Sequence, residues 1–306
     1  MTIRIGVGPG LGGALSVDEY WRWLELCESS GIDSVWHSDQ LIGPGLEPMA
    51  MMAALAARTK RMRFGTNAVV VSHRDPLVLA KECATIDFLS KGRLLPVFGV
   101  GNAADPVWAA VGASSKGRGK RANEAIALIR RLLSEDSVSF HGEYYRYENA
   151  QVLPRPAKPI PIWIGGHSEA AIQRTAALGD GWLGGLIAAD AAGDVVTRIK
   201  AALLLTGRTI DEDHYGVVVP FRFGSAEDQS VRAFCKMMNA RRGEDDGGGA
   251  AGVIAAGGAA ELVAAFRQYI DAGISKFVAI PIAGDAQDMF EQTQLLAREI
   301  VPVVEK

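Results

Sequence analysis

What most constrains this chain is a repeated alternation. A short apolar run, a turn of glycine or polar residues and a segment with helical spacing recur eight times. The apolar runs are residues 3–7, 34–36, 62–71, 94–100, 160–164, 181–186, 215–223 and 276–282. Helical spacing fills 17–30, 48–58, 76–89, 121–133, 169–178, 191–205, 228–241, 260–272 and 286–300. Ser16 and Ser168 stand as helix caps, and Pro76 stands near a first turn. The runs are apolar on both faces, as buried parallel strands are. Eight strand–helix units in 306 residues predict an α/β fold, a single (β/α)8 TIM barrel spanning 1–306. A doubly wound sheet is the alternative.

Two segments break the rhythm. Residues 137–159 hold Tyr144, Tyr145, Tyr147 and three prolines, an irregular insertion after strand four. Residues 244–258 hold six glycines and three acids, a second insertion near strands seven and eight.

Composition narrows the class. A net charge of −3 gives no footprint for nucleic acid. Cys27, Cys83 and Cys235 are scattered without CxxC spacing, which suits buried thiols in a reducing cytoplasm. Met1-Thr2-Ile3-Arg4-Ile5 enters a strand directly, so no signal peptide is expected. The longest uncharged stretch, 247–260, is Gly/Ala-rich, so no membrane span is expected.

The candidate sites follow strands. Residues 161–171 run from an apolar strand through Gly165, Gly166 and His167 into a helix capped by Ser168. Orphaned backbone N–H groups and the helix dipole make that turn a phosphate cradle. Gly8, Gly10 and Gly13 form GxGxxG, but Pro9 restricts the turn and neither Asp33 nor Asp39 sits where the dinucleotide fingerprint needs its acid. A glycine-rich first loop is the better reading. His37, Ser38, Asp39 and Gln40 follow strand two, where barrels carry catalytic groups. Asp39 is a candidate base or ring contact. Gly65 inside strand three suggests a bulge or a close backbone approach. Asn102 and Asp105 follow Gly99 and Gly101 after strand four. His73-Arg74-Asp75 reads as a structured turn before Pro76. No HxH or HExxH spacing points to a metal, and no GxSxG to an acyl-transfer serine.

In order and spacing these segments resemble the luciferase-like monooxygenase superfamily. The resemblance rests on 33–39 (DSVWHSD), Gly65-Thr66-Asn67 with Arg74-Asp75-Pro76, 84–93 (ATIDFLSKGR), Gly99-Val100-Gly101, and 161–168 with Gly179-Asp180-Gly181-Trp182. It runs nearly the whole chain.

The resemblance implies a homodimeric TIM barrel that binds a flavin or the deazaflavin F420 and acts on a small-molecule substrate. Ser38-Asp39-Gln40-Leu41 is closer to the pattern of F420-dependent members, so F420 is the expected cofactor and FMN the alternative. It further implies that Asp39 contacts the ring, that Asn67-Ala68 is a cis peptide behind it, and that Val70 lines it. Asn102 and Ala103 would bind the cofactor's side chain. Gly165, Gly166, His167, Ser168, Glu169 and Ala170 would surround its phosphate.

Two departures bear on the chemistry. Gln40 stands where sugar-phosphate dehydrogenases of the family place a histidine, and Ala104 where they place a glutamate. Gln40 cannot titrate, so a reductase fits better than an acid/base pair oxidising glucose 6-phosphate. Its proton would come from water, Asp105 or His37. An FMN-dependent monooxygenase using O₂ is the second reading, and a non-catalytic flavin-binding protein the third.

Overall fold

Strands and helices alternate from Arg4–Val7 to Val301–Val304 as the apolar periodicity predicts. The computed structural model describes residues 1–10, 15–242 and 251–305; Gly13 of the GxGxxG pattern and residues 244–250 of the second insertion lie outside them. The chain forms two compact units. One comprises Met1–Trp36, Gly184–Thr197 and Glu212–Lys306, and the other His37–Leu183 and Arg198–Asp211.

In the first unit, Arg4–Val7 pairs parallel with Lys276–Pro281, which in turn pairs with Tyr215–Phe223. Val7 on the other side meets Val35. Ile5, Val217, Phe221 and Phe277 are fully buried, so this sheet is covered on both faces. Trp36 Nε1 donates to Ser34 Oγ at 2.9 Å across the strand beside Gly6. A Cβ on Gly6 would run into both side chains, which is why a glycine sits mid-strand there. The buried Lys276 pairs with Asp33 and lies 5.9 Å from the centre of the Trp36 ring. Ser16 caps the Val17–Ser29 helix through a full capping box with Glu19.

In the second unit, Arg63–Thr66 pairs with Leu94–Leu95, and Val69–Val70 with Val97–Gly99. Val97–Gly99 continues to Trp163–Gly165, and that strand to Gly181–Leu183, all parallel. Arg93 fastens the neighbouring turns by donating to the carbonyls of Ala56, Thr59 and Met62. Asp180 does similar work: its carboxylate accepts from Arg130 and from the Ile162 N–H.

Three expectations need correcting. Gly65, read as a bulge, stays inside a regular strand; the strand breaks two residues on, at Asn67–Ala68, which is the cis peptide the resemblance implies. Residues 137–159 contain an antiparallel hairpin, Val138–His141 with Arg146–Ala150. Its turn is held because Glu124 accepts from the backbone N–H groups of Glu143, Tyr144 and Tyr145. In the second insertion, Ala255–Gly257 is a strand paired with Tyr215–Phe223.

Candidate active site

Every expected site residue, from His37 to Ala170, belongs to the second unit. Asp39 sits two residues beyond the Ser34–His37 strand, and its carboxylate is already engaged. Oδ2 accepts from Val70 N at 2.9 Å and from Arg74 Nη1 at 2.6 Å, while Oδ1 accepts from Arg74 Nη2 at 3.0 Å. The side chain is 1% exposed. Arg74 Nη2 also donates to Glu47 Oε1 at 2.7 Å, and Glu47 caps the Pro48–Arg58 helix through Ala50 N. Burial works against the Arg74 charge, but the two carboxylates outweigh it and hold its pKa above the ordinary value. The bidentate geometry is the strong form of such a pair. Asp39 therefore fixes the Val70 backbone and Arg74, and its lone pairs are largely committed to them.

The wall beside Asp39 is the Asn67–Val70 backbone. Asn67 N donates to the His37 carbonyl at 2.7 Å, and Thr66 Oγ1 both donates to the Val97 carbonyl and accepts from its N–H. Two glycines let neighbouring strand ends close on this wall. A Cβ on Gly165 would stand 3.1 Å from the Ala68 Cβ. Gly101 has φ +67°, and a Cβ there would stand 3.0 Å from a Val70 methyl. The result is a surface built from backbone and small side chains, which suits a flat ring. Past the same strand ends lies the helix Glu169–Leu178. Gly166 at φ +104° makes the turn into it, and Ser168 Oγ accepts from Ala171 N at 3.3 Å. His167, Ser168, Glu169 and Ala170 are exposed, so the cradle's N-terminal turn is open to an anion. Gly166 N itself is taken by the Leu183 carbonyl. Glu169 is paired with Arg198 and accepts from Gln173; these contacts keep its carboxyl below the usual range.

The remaining expected residues take distinct places. Gln40 lies over Gly45, where a Cβ would stand 3.0 Å from the Gln40 Cβ. The His37 imidazole is 4% exposed, and burial lowers its pKa to about 4. It is neutral near pH 7, and a charged His37 is ruled out as a ready proton donor. Asp105 Oδ1 accepts from Val107 N at 2.9 Å and its own N–H donates to the Asn102 carbonyl, so it organises the turn after strand four. Asn102 and Ala103 are exposed on that turn.

Sequence reasoning missed four residues here. Arg74 pairs with Asp39; His73 stacks edge-on to Trp108 with ring centres 4.3 Å apart; Trp108 Nε1 donates to the Asn102 carbonyl at 2.7 Å; Arg198 pairs with Glu169. His73 Nε2 is buried without a hydrogen-bond partner among the described residues. Burial pulls the His73 pKa down, against the attraction of Asp39 and Asp105. For Arg74 a signal existed. Asp75 and Pro76 form a complete local helix start, which leaves the charge before them to find a distant partner.

A family model for luciferase-like monooxygenases matches residues 1–298. The F420-dependent glucose-6-phosphate dehydrogenase of Amycolatopsis mediterranei is 35% identical over 167 residues, 51% of this chain and 50% of that one. The chain thus spans about half the length of the curated relatives it matches. An F420-dependent secondary alcohol dehydrogenase, solved with an F420–acetone adduct, superposes with a TM-score of 0.83 at 18% identity, covering 98% of both chains. The oxygenating constituent of 3,6-diketocamphane monooxygenase from Pseudomonas putida, solved with FMN, gives a TM-score of 0.78 at 17% identity, covering 99% of both. These likenesses bear out the α/β, TIM-barrel fold class read from the alternation. Among the described residues, no helix is long and apolar enough to cross a membrane.

Proposed function

The chain belongs to the luciferase-like monooxygenase family, and from that premise we propose that it is an oxidoreductase that uses F420 and acts on a small organic molecule. The observation that carries this is the flat Asn67–Val70 wall, closed by Gly101 and Gly165, with an open helix N-terminus at Ser168 in the same unit. A ring-bearing cofactor with a phosphate needs those two features together. Relatives named as F420-dependent, in sequence and in fold, favour the deazaflavin.

In this reading Asn67, Ala68 and Val70 hold the ring, and Asn102 and Ala103 its side chain. Gly165, Gly166, His167, Ser168, Glu169 and Ala170 surround the phosphate, Glu169 by its backbone and not by its carboxylate. Bound F420 would supply a carbon that carries hydride. The chain supplies position. Asp39 and Arg74 lock the Val70 backbone, and Trp108 holds the Asn102 turn against His73. Neither Gln40 nor the neutral, buried His37 provides a strong base. That favours reduction of an electron-poor acceptor, with Asp105 or water as the proton source, over acid/base-assisted oxidation of a sugar phosphate.

The second reading, an FMN-dependent monooxygenase, is favoured by the fold shared with the FMN-bound enzyme. Fluorescence titration separates the two. F420 quenching at micromolar protein with no response to FMN supports the first; the reverse overturns it. Tight binding without turnover across a panel of electron acceptors would leave a non-catalytic binder.

A further inference from the structure

The first unit carries a cleft of about 700 Å³ that is lined by none of the candidate-site residues of the second unit. That volume suits a small organic ligand. It opens where the strands Tyr215–Phe223 and Lys276–Pro281 end, the side on which α/β barrels bind ligands. One wall is the face of the Gln229–Arg242 helix that presents Ala233, Phe234 and Met237, and the other is the Pro281-Ile282 turn. Phe234 and Ile282 belong to one buried apolar cluster, so this part of the cleft has a fixed hydrophobic floor.

The charges at the rim are already paired with one another. Arg222 Nη1 donates to both oxygens of Asp288 at 2.6 and 2.5 Å and to the Ile282 carbonyl at 3.1 Å. Its Nε donates to Asp228 Oδ2 at 3.1 Å. Partial burial works against the Asp288 charge, but the Gly284 N–H and Arg222 outweigh it and keep the carboxyl ionised. Two carboxylates against one guanidinium leave a surplus of negative charge, and the only cation among the described rim residues is committed to protein acceptors. An anion entering here meets repulsion and no unpaired cation. By contrast, the side chains of Gln229 and Ser230, at the start of the same helix, make no hydrogen bond with described residues, and both line the cleft. They offer a neutral donor and acceptor pair beside the apolar floor.

We propose that this cleft binds an uncharged, largely apolar molecule bearing one or two hydrogen-bonding oxygens, such as a ketone or alcohol, and rejects phosphorylated sugars. The binding stands on the cleft's own geometry and goes beyond the proposed function without resting on it. The proposal also separates this chain from its glucose-6-phosphate dehydrogenase relatives by a mechanism that needs no histidine at position 40.

The test uses the full chain without cofactor. Saturation-transfer NMR and calorimetry are run with 2-heptanone, with glucose 6-phosphate and with inorganic phosphate. Ala233→Trp and Met237→Trp each fill the cleft from a different turn of the helix, and circular dichroism checks that each folds. The expected result is saturable 2-heptanone binding, weakened at least tenfold in whichever variant folds, and no binding of either phosphate compound that these variants change; phosphate held at the open Ser168 turn stays as in the wild type. Three results overturn the proposal: no binding of 2-heptanone, equal binding in wild type and the folded variants, or glucose 6-phosphate binding that the variants abolish. F420 quenching is measured separately. Quenching without ketone binding sinks this inference alone, and ketone binding without quenching sinks only the F420 reading.

Discussion

Two arginines stand near strand ends, each between two carboxylates: Arg74 beyond the turn that follows Val69–Val70, and Arg222 inside Tyr215–Phe223, next to its last residue. Arg74 in the second unit holds Asp39 and Glu47; Arg222 in the first holds Asp228 and Asp288. On paper the clusters are alike. They differ in how the carboxylates meet water. The Asp39 side chain is 1% exposed, whereas Asp288 is 22% and Asp228 33% exposed. Asp39 cannot turn to solvent if its partner is lost, and Asp288 can. The first cluster is thus a fixed part of the wall behind Val70, and the second is a rim that filters charge. Counting ion pairs would rate them equal; burial of the acid decides their weight.

The largest expected effect breaks or sustains that comparison directly. Arg74→Met leaves a buried, unpaired Asp39 and should cost ~3–5 kcal/mol in chemical denaturation. Arg222→Met should cost no more than about 1 kcal/mol, since its acids rehydrate. Adding Asp39→Leu to Arg74→Met should recover much of the loss, because it removes the stranded charge. Equal losses in the two single variants would show that exposure of the acid is not what matters.

His37 probes the same contrast by pH. Its folded pKa lies at about 4 against 6.5 for the free side chain, and the cause is burial. The unfolded chain takes up the proton first as pH falls. Its contribution is therefore complete above pH 6.5 and lost as pH falls from 6.5 toward 4. The full loss is of order 3 kcal/mol. Denaturation midpoints measured across that window should fall steeply in the wild type and more shallowly in His37→Phe. Matching slopes would mean that the imidazole reaches water.

How much of this was legible in the sequence follows from the range of the forces. Helix starts were readable because caps act within four residues: Ser16 and Ser168 cap their helices as expected, and Pro76 opens its own. The strand-end position of Asp39 was readable for the same local reason. Its partner was not: the helix start at Asp75 and Pro76 marks Arg74 as a charge without a local partner, but nothing across the 35 residues between them points to Asp39. The hairpin in 137–159 was hidden in the same way, since its turn is anchored on Glu124 of a preceding helix. Gly65 misled because a lone glycine in a strand signals a break, and here the break falls at Asn67–Ala68. The cleft beside Arg222 had no sequence mark at all. Its walls are ordinary core residues whose placement only the fold decides.

Asp288→Asn tests the intermediate case. Arg222 keeps Asp228, and the new amide still offers it an acceptor oxygen, so a loss of about 1 kcal/mol is expected. The rim also loses its surplus charge. Inorganic phosphate binding at this cleft, read as the part that Met237→Trp removes and absent in the wild type, should then become detectable by calorimetry at low salt. If it does not, the surplus charge is not what excludes anions.

The smallest effect on stability belongs to the most exposed pair. Arg198 and Glu169 are 54% and 59% exposed, at the opening of the phosphate cradle. Glu169→Gln should leave the melting temperature unchanged within error, because water replaces both partners. It should still act on function. Glu169 lies in the first turn of the helix, where its negative charge competes with a bound phosphate for the dipole and occupies the Arg198 guanidinium. With Glu169 neutral, both are released to the ligand. F420 or FMN, whichever the chain binds, should bind a few-fold tighter at low salt. The gain should vanish at 1 M salt, where screening reaches down to about 3 Å. Tighter binding that survives high salt would place the effect in shape rather than charge, and weaker binding would make Glu169 itself a contact of the cofactor.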